Sequence, residues 1–160
     1  MKKRSGSREN SYINELKILL LGDDSIKTSV MQRFSSNLFK SDSKLTIGVD
    51  FQVKIIEFDG SRIKLQLWDV INEKRVLSLL PMYIRGSKGA IFLYDITRPS
   101  SLDNLSDCLG IVRSNADNIP IILAGVSLGS EEDHNNFSEE GLKVAKRNNL
   151  NGFIECSANL

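Results

Sequence analysis

The sequence predicts an α/β fold: a mostly parallel sheet with one antiparallel edge strand and helices on both faces. Continuously apolar runs at 89–94 and 121–124 are typical of parallel strands that are covered on both sides. Between them, apolar residues recur at helical spacing over 100–113. Asp59-Gly60 lies between two alternating stretches and indicates a hairpin. Strands that alternate with helices, plus one hairpin, produce such a sheet.

The hairpin strands are predicted at 48–58 and 62–68. Two more strands are predicted, a first at 18–21 and a last at 153–155. The predicted helices are one that carries Val30, Met31 and Phe34, and a short one broken near Pro81. Two longer helices are predicted over 100–113, capped by Ser100 or Ser101, and from a Ser138 cap to Lys146. Asp23-Asp24 also resembles the acidic pair of phosphoacceptor receiver domains. Those domains alternate strand and helix strictly, so the hairpin argues against that class.

Bulk properties favour a single soluble domain. The chain has 160 residues, a net charge of +1 and two cysteines, which form no metal or disulfide pattern. The near-neutral charge argues against nucleic acid as a partner, and no apolar run is long enough to span a membrane. We expect residues 1–14 to be a disordered basic tail and 15–160 to form one domain. Both thiols are expected to be buried in a reducing compartment.

The region around Gly22 has the layout of a phosphate-binding P-loop. An apolar strand ends at this glycine, a polar turn carries Lys27, Thr28 and Ser29, and a helix follows. Such a loop uses backbone N–H groups and a helix N-terminus to hold phosphate. Here the loop is one residue short, and Ile26 stands where a glycine precedes the lysine. The backbone therefore cannot follow the usual close path around an anion.

Several sequence blocks, in the right order, resemble small GTPases of the Ras superfamily, most closely the Rab family. The blocks are TIGVDF at 46–51, LQLWD at 65–69, YIRGSKGAIFLYDIT at 83–97 and ECSA at 155–158. The resemblance covers nearly the whole chain and implies a P-loop NTPase fold. It also implies GTP or GDP with Mg²⁺ as the cofactors, if nucleotide is bound at all.

The resemblance assigns roles to individual positions. The metal positions are Thr28, Thr46 and Asp69. The nucleotide positions are Gly22, Ser25, Lys27, Thr28, Ser29, Phe39, Asn72, Ser157 and Ala158. Glu73 stands at the position of the catalytic glutamine. A carboxylate cannot donate a hydrogen bond to the transferring phosphoryl group and repels it, so little hydrolysis is expected.

Two further motifs depart from the family pattern. The glycine that gives its N–H to the γ-phosphate is replaced by Asn72, whose side chain crowds that approach. The guanine-reading NKxD motif becomes VSLG at 126–129 and so lacks its carboxylate, with Glu131 two positions on as the nearest substitute. Loss of such a two-pronged, charge-assisted contact costs a few kcal/mol.

One family surface is intact in the sequence. The resemblance places protein effectors on a surface that comprises Ile47, Phe51, Trp68 and Tyr83. Exposed aromatic residues among polar neighbours are typical of partner hot spots. The alternative is that the three aromatic residues only fill a sheet face, because aromatics favour strands in any case.

Two hypotheses follow from these residues. In one, the chain is a pseudo-GTPase interaction module with weak or absent nucleotide binding, and Lys27 is free. In the other, it is a Rab-type GTP/GDP switch with slow hydrolysis, and phosphate covers Lys27. A cytoplasmic location is expected, with peripheral membrane association as the alternative and no lipid anchor evident.

The family's final helix is expected to be missing after ECSA, so we read the chain as C-terminally truncated. That helix would cover apolar residues of the sheet and of the first helix, among them Val30 and Phe34. Each exposed apolar side chain forgoes about 1.5–3 kcal/mol of burial. A partner or self-association is therefore expected to cover this face.

Overall fold

The computed structural model describes residues 14–36, 49–70, 78–129 and 137–157. The elements are β1 (Asn14–Gly22), α1 (Asp24–Ser36), β2 (Val49–Phe58), β3 (Ser61–Val70), α2 (Leu80–Ile84), β4 (Gly89–Asp95), a 3₁₀ helix (Pro99–Leu102), α3 (Leu105–Asn115), β5 (Ile121–Ser127), α4 (Phe137–Arg147) and β6 (Gly152–Ser157). The six strands form one sheet in the order β2-β3-β1-β4-β5-β6. Among the described strands, the β2–β3 pair alone is antiparallel. The predicted fold class is confirmed.

The predicted hairpin joins β2 and β3. Asp59 and Gly60 both have positive φ, +48° and +73°, as a tight turn between two twisted strands requires. The turn fixes a register in which Phe51 lies opposite Trp68. This pairing brings two of the predicted surface aromatics together.

The two faces of the sheet are covered unequally. The helices α2, α3 and α4 contribute to a larger buried cluster on one face, centred on Phe92 and Leu123. On the other face, α1 is the only described helix that contributes buried residues, Ile26 and Met31, to a smaller cluster. Ile154 on β6 is 50% exposed.

Two helices begin at places that the sequence pattern did not indicate. The helix α1 begins at Asp24, so Lys27, Thr28 and Ser29 lie inside it rather than in a turn. The predicted helix over 100–113 is divided into the 3₁₀ helix and α3. Neither predicted serine caps α3, because the Ser101 hydroxyl instead contacts backbone groups of Asp95 and Arg98.

Smaller differences concern the ends of two other helices. Pro81 does not break α2 but lies in its first turn, where its missing N–H costs nothing. Ser138 lies within α4, whose first residue is Phe137. In the described part of the chain, no helix has the length and apolar character needed to cross a membrane.

The two cysteines differ in environment. Cys108 is buried on α3, and this burial raises the pKa of its thiol to about 11, so the thiol stays protonated at neutral pH. Cys156 is exposed. The prediction that both thiols are buried was therefore wrong for Cys156, because β6 is an edge strand of the sheet.

Candidate nucleotide site

The connection between β1 and α1 consists of one residue, Asp23. Gly22 ends β1 at φ +101°, and a Cβ placed there would lie 2.0 Å from the carbonyl oxygen of Leu93. The Asp23 N–H donates to the same oxygen at 2.9 Å. The end of β1 is thus pressed against β4. A one-residue connection leaves no loop that could wrap around a phosphate.

Asp23 caps the N-terminus of α1 with its own carboxylate. Its Oδ1 accepts hydrogen bonds from the Ser25 N–H at 3.0 Å, the Ser25 hydroxyl at 2.6 Å and the Ile26 N–H at 3.0 Å. Its Oδ2 is paired with the guanidinium of Arg98. These backbone N–H groups are the ones that a helix N-terminus offers to an anion. The chain itself therefore supplies the anion at this position.

These contacts change the acidity of Asp23. Burial acts to raise its pKa, but the hydrogen bonds from Ser25 and Ile26 and the charge of Arg98 together lower it below the ordinary value. A carboxyl group whose pKa is lower in the folded than in the unfolded state stabilises the fold above the unfolded pKa. That stability is lost as the pH falls through the folded pKa.

We therefore expect Asp23→Asn to reduce stability at neutral pH, since it removes the charge but retains the shape and an accepting oxygen. The difference in urea midpoint between wild type and variant should be constant from pH 5 to pH 8 and shrink below about pH 4. Asp103→Asn, at an exposed neighbouring carboxylate, is the control and should leave the midpoint almost unchanged. Parallel profiles for Asp23→Asn and wild type down to pH 2.5 would contradict this assignment.

Lys27 is fully buried, and its ammonium group is fully paired. Nζ lies 2.5 Å from the carbonyl oxygen of Val70, 2.8 Å from Asp24 Oδ1 and 2.9 Å from Asp69 Oδ1. The Val70 carbonyl accepts a hydrogen bond from the ammonium group, and the two carboxylates contribute ion pairs. The expectation that an unliganded site would leave Lys27 free was wrong. The lysine joins α1 to the end of β3.

Two of the predicted metal positions, Thr28 and Asp69, lie in the described part of the chain, and both contact other groups of the protein. The Thr28 hydroxyl donates to the Asp24 carbonyl at 2.8 Å, and Asp69 lies beside Lys27. Ser29 likewise donates to the Ser25 carbonyl, at 3.0 Å. Among the described residues, no group of three or more acidic, histidine or cysteine side chains could hold a metal ion. The described part of the site is thus closed by contacts within the chain, and the third predicted metal position, Thr46, lies outside the described residues.

The predicted base-binding positions lie at the ends of β5 and β6. Ser127 and Ser157 are register partners there, and Ser127 and Val126 are buried. An adjoining cavity of about 250 Å³ is lined by Val30, Arg33, Phe34, Val126, Cys156 and Ser157. Among the described residues that line it, no carboxylate is available to receive the guanine edge.

Six of the predicted site residues, and the substitute Glu131, lie outside the described part of the chain. The six are Phe39, Thr46, Ile47, Asn72, Glu73 and Ala158. Their roles remain predictions. Sequence reasoning also missed two contributors, Asp23 and Arg98. The helix-capping preference of aspartate could have indicated Asp23, whereas nothing local connects Arg98 to a residue 75 positions away.

The predicted aromatic surface is assembled in the structure. The rings of Phe51 and Trp68 stack with centroids 5.1 Å apart, and Tyr83 on α2 lies 6.5 Å from Trp68. The Lys17 ammonium lies 4.3 Å from the centre of the Trp68 ring, within the range of a cation–π contact. Phe51 is 52% exposed, whereas Trp68 and Tyr83 are half-buried against the larger core cluster. The trio therefore both packs against the core and presents a surface.

Comparison with known proteins agrees with this fold. A family model described as Ras family matches residues 17–160. The chain is 39% identical over 153 residues to GTP-binding protein ypt3 of Schizosaccharomyces pombe. The aligned residues make up 94% of this chain and 71% of that protein.

Two further relatives have Rab-type names. The chain is 36% identical over 152 residues to Ras-related protein RABA2d of Arabidopsis thaliana, covering 94% of this chain and 70% of the relative. It is 38% identical over 151 residues to Ras-related protein Rab-18 of Caenorhabditis elegans, covering 93% and 74%. The chain therefore belongs to the Ras superfamily of small GTPases and is Rab-like within it.

Proposed function

We propose that this chain is a Rab-like pseudo-GTPase: an interaction module with weak or absent nucleotide binding and little hydrolysis. The observation that carries the proposal is the pairing of Lys27 with Asp24, Asp69 and the Val70 carbonyl. The lysine that would neutralise phosphate is committed to groups of the protein itself. Its ion pairs hold together the elements that a bound nucleotide and metal would otherwise bridge.

The charges around the site also oppose an incoming phosphate. Three carboxylates, Asp23, Asp24 and Asp69, stand against two cations, Lys27 and Arg98. A nucleotide would have to displace Asp23 from the helix terminus and then lie beside all three carboxylates. Because Lys27 is fully buried, breaking its ion pairs would also remove the cation beside the buried Asp69 carboxyl group, which is costly.

The sequence supports low hydrolysis independently of this geometry. Asn72 and Glu73 replace the glycine and the glutamine of the family motif. If GTP or GDP with Mg²⁺ binds at all, the water-orienting side chain is still missing. We therefore expect hydrolysis by the family mechanism to be very weak or absent.

Members of this family bind protein effectors through their switch regions. We assign the same use to the aromatic surface of Phe51, Trp68 and Tyr83. Ile47, four positions before Phe51 in the sequence, is proposed to belong to the same surface. The stacked and half-exposed rings support this role, since aromatic anchors dominate binding energy at interfaces. A cytoplasmic protein that reaches membranes peripherally, through its partners, is consistent with such a module.

The alternative function is a Rab-type GTP/GDP switch in membrane traffic or signalling. Family membership and the blocks around 46–51 and 83–97 favour it. It would require the Asp23 cap and the Lys27 ion pairs to open whenever nucleotide binds. The two functions make opposite predictions about the purified protein.

The deciding measurement is the nucleotide content of the purified protein after mild denaturation and chromatography. We expect less than one tenth of a mole of guanine nucleotide per mole of protein, and no rise in melting temperature with millimolar GDP or GTP and Mg²⁺. The fission-yeast relative ypt3, treated in parallel, is the positive control. Stoichiometric guanine nucleotide, or a melting temperature that rises with nucleotide concentration, would overturn the proposal.

Base selectivity provides a separate prediction. Because Val126–Gly129 offers no carboxylate, any residual binding should distinguish GDP from ADP by less than about tenfold, or ~1.4 kcal/mol. Competition of the two nucleotides against a fluorescent analogue measures this ratio. Gly129→Asp is the matched variant, and it should raise the preference for GDP. A hundredfold preference in the unmodified chain would show that another group reads guanine.

A further inference from the structure

The strand β2 forms one edge of the sheet. It pairs with β3 along its inner side, from Val49 opposite Val70 to Phe58 opposite Ser61, and no other described strand pairs with its outer side. Ten residues is long for an edge strand. An unpaired edge presents a row of N–H and C=O groups that can pair with another chain.

One face of this edge is apolar and exposed. Phe51, Val53 and Ile55 alternate along β2 and are 52%, 46% and 48% exposed. Natural edge strands are usually blunted by proline, bulges or several charges. β2 contains no proline, and its three charged residues, Asp50, Lys54 and Glu57, are of mixed sign, so that they can pair with charges of a partner strand. The Lys54 Nζ lies 3.4 Å from the Phe34 carbonyl oxygen, a long contact that a partner's carboxylate would replace. The edge is therefore suited to strand addition.

The charges on the opposite face of β2 are self-complementary. Asp50 and Lys54 are both exposed, lie on one face, and are equidistant from Gln52. In an antiparallel pair of β2 strands centred on Gln52, Asp50 lies opposite the partner's Lys54, and this contact occurs twice. Opposite charges directly across two strands stabilise the pair, whereas like charges destabilise it.

Other registers lack this match. An arrangement centred on Lys54 would place two lysines opposite each other, and one centred on Val53 would leave Asp50 opposite Ile56. Centring on Gln52 also places Phe51 opposite the partner's Val53, so these two apolar side chains pack side by side on the same face of the joined sheet. Charge and apolar pattern thus favour the same register.

We propose that a second copy of this chain is the partner of the β2 edge, joined by antiparallel pairing of residues 49–55 about a twofold axis at Gln52. The two six-stranded sheets become one continuous sheet of twelve strands. Isologous contacts of this kind close on themselves, so a dimer forms rather than a filament. The proposal does not depend on whether nucleotide binds.

Sedimentation velocity of the full chain across a hundredfold concentration range tests the pairing. We expect a monomer–dimer equilibrium. Asp50→Lys and Lys54→Asp should each raise the dimer dissociation constant at least tenfold, because each places like charges opposite each other twice. The double variant Asp50→Lys/Lys54→Asp restores the match and should return the constant to within threefold of wild type. Glu57→Lys, on the same strand but outside the paired residues, is the control and should change the constant less than threefold.

Cysteine cross-linking checks the register and does not rely on dimer stability. In a Cys156→Ser background, Gln52→Cys should form a covalent dimer with a copper–phenanthroline oxidant, whereas Glu57→Cys should not. Circular dichroism of every variant confirms folding. A monomer at all concentrations would overturn the proposal. So would a dimer whose dissociation constant is unchanged by both charge reversals and which yields no Gln52→Cys cross-link.

Discussion

Lys27→Met is expected to destabilise the protein by about 3–5 kcal/mol, a large part of a domain stability of ~5–15 kcal/mol. Methionine retains the volume of the lysine stem but removes the charge. Asp69, whose side chain is 2% exposed, would then lie beside Asp24 with no cation between them. The Val70 carbonyl would also lose its donor. Urea denaturation at pH 7 measures the loss.

Two variants separate this ion-pair cluster from a general effect of losing a lysine. Lys143→Met removes a lysine whose ion pair with Glu139 lies on the surface of α4, and it should leave the urea midpoint unchanged within error. Lys27→Met/Asp69→Leu removes two members of the buried cluster together and should recover at least half of the loss. A Lys27→Met protein as stable as wild type would show that the cluster does not hold α1 to β3.

Gly22→Ala is expected to cost about 3 kcal/mol or more, from two effects that add. The φ of +101° strains any residue with a Cβ, by about 1–3 kcal/mol. The new methyl group would also lie 2.0 Å from the Leu93 carbonyl oxygen, so β1 and β4 would have to separate. Equilibrium unfolding in urea measures the sum.

Two other glycines isolate each effect. Gly60 has φ +73°, but a Cβ there meets nothing within 4 Å, so Gly60→Ala should show the backbone strain alone. Gly110 lies in α3, also with open space around it, and Gly110→Ala should stabilise by up to about 1 kcal/mol. A Gly22→Ala variant no less stable than Gly60→Ala would mean that the close approach of β1 to β4 is not tight.

Much of the fold could be predicted because its signals are local. The apolar runs at 89–94 and 121–124 became β4 and β5, and Asp59-Gly60 became the turn of the β2–β3 hairpin. The predicted trio of Phe51, Trp68 and Tyr83 also came together. Strand register decides which side chains meet, and turn residues and alternation set that register.

The helix starts were less predictable, for a physical reason. The P-loop resemblance suggested a turn from Asp23 to Ser29, whereas α1 begins at Asp24. The aspartate that was read as part of a loop instead satisfies the first N–H groups of the helix. Asp23 can either cap α1 or form part of a phosphate-binding loop, and the two conformations differ over only one or two residues. Which of them forms depends on the space that β4 leaves beside Gly22.

The sequence by itself determined the family and the order of the strands along the chain, and it predicts that the motifs that read guanine and orient water are lost. Only the tertiary structure decided the contacts of the lysine at the P-loop position. Lys27 meets Asp69 and Val70 more than forty residues along the chain, and Asp23 meets Arg98 seventy-five residues away. Such pairs exist only because parallel pairing brings the carboxyl ends of β1, β3 and β4 to one edge of the sheet. No local propensity encodes contacts of that range, so burial and charge at this site follow from the fold.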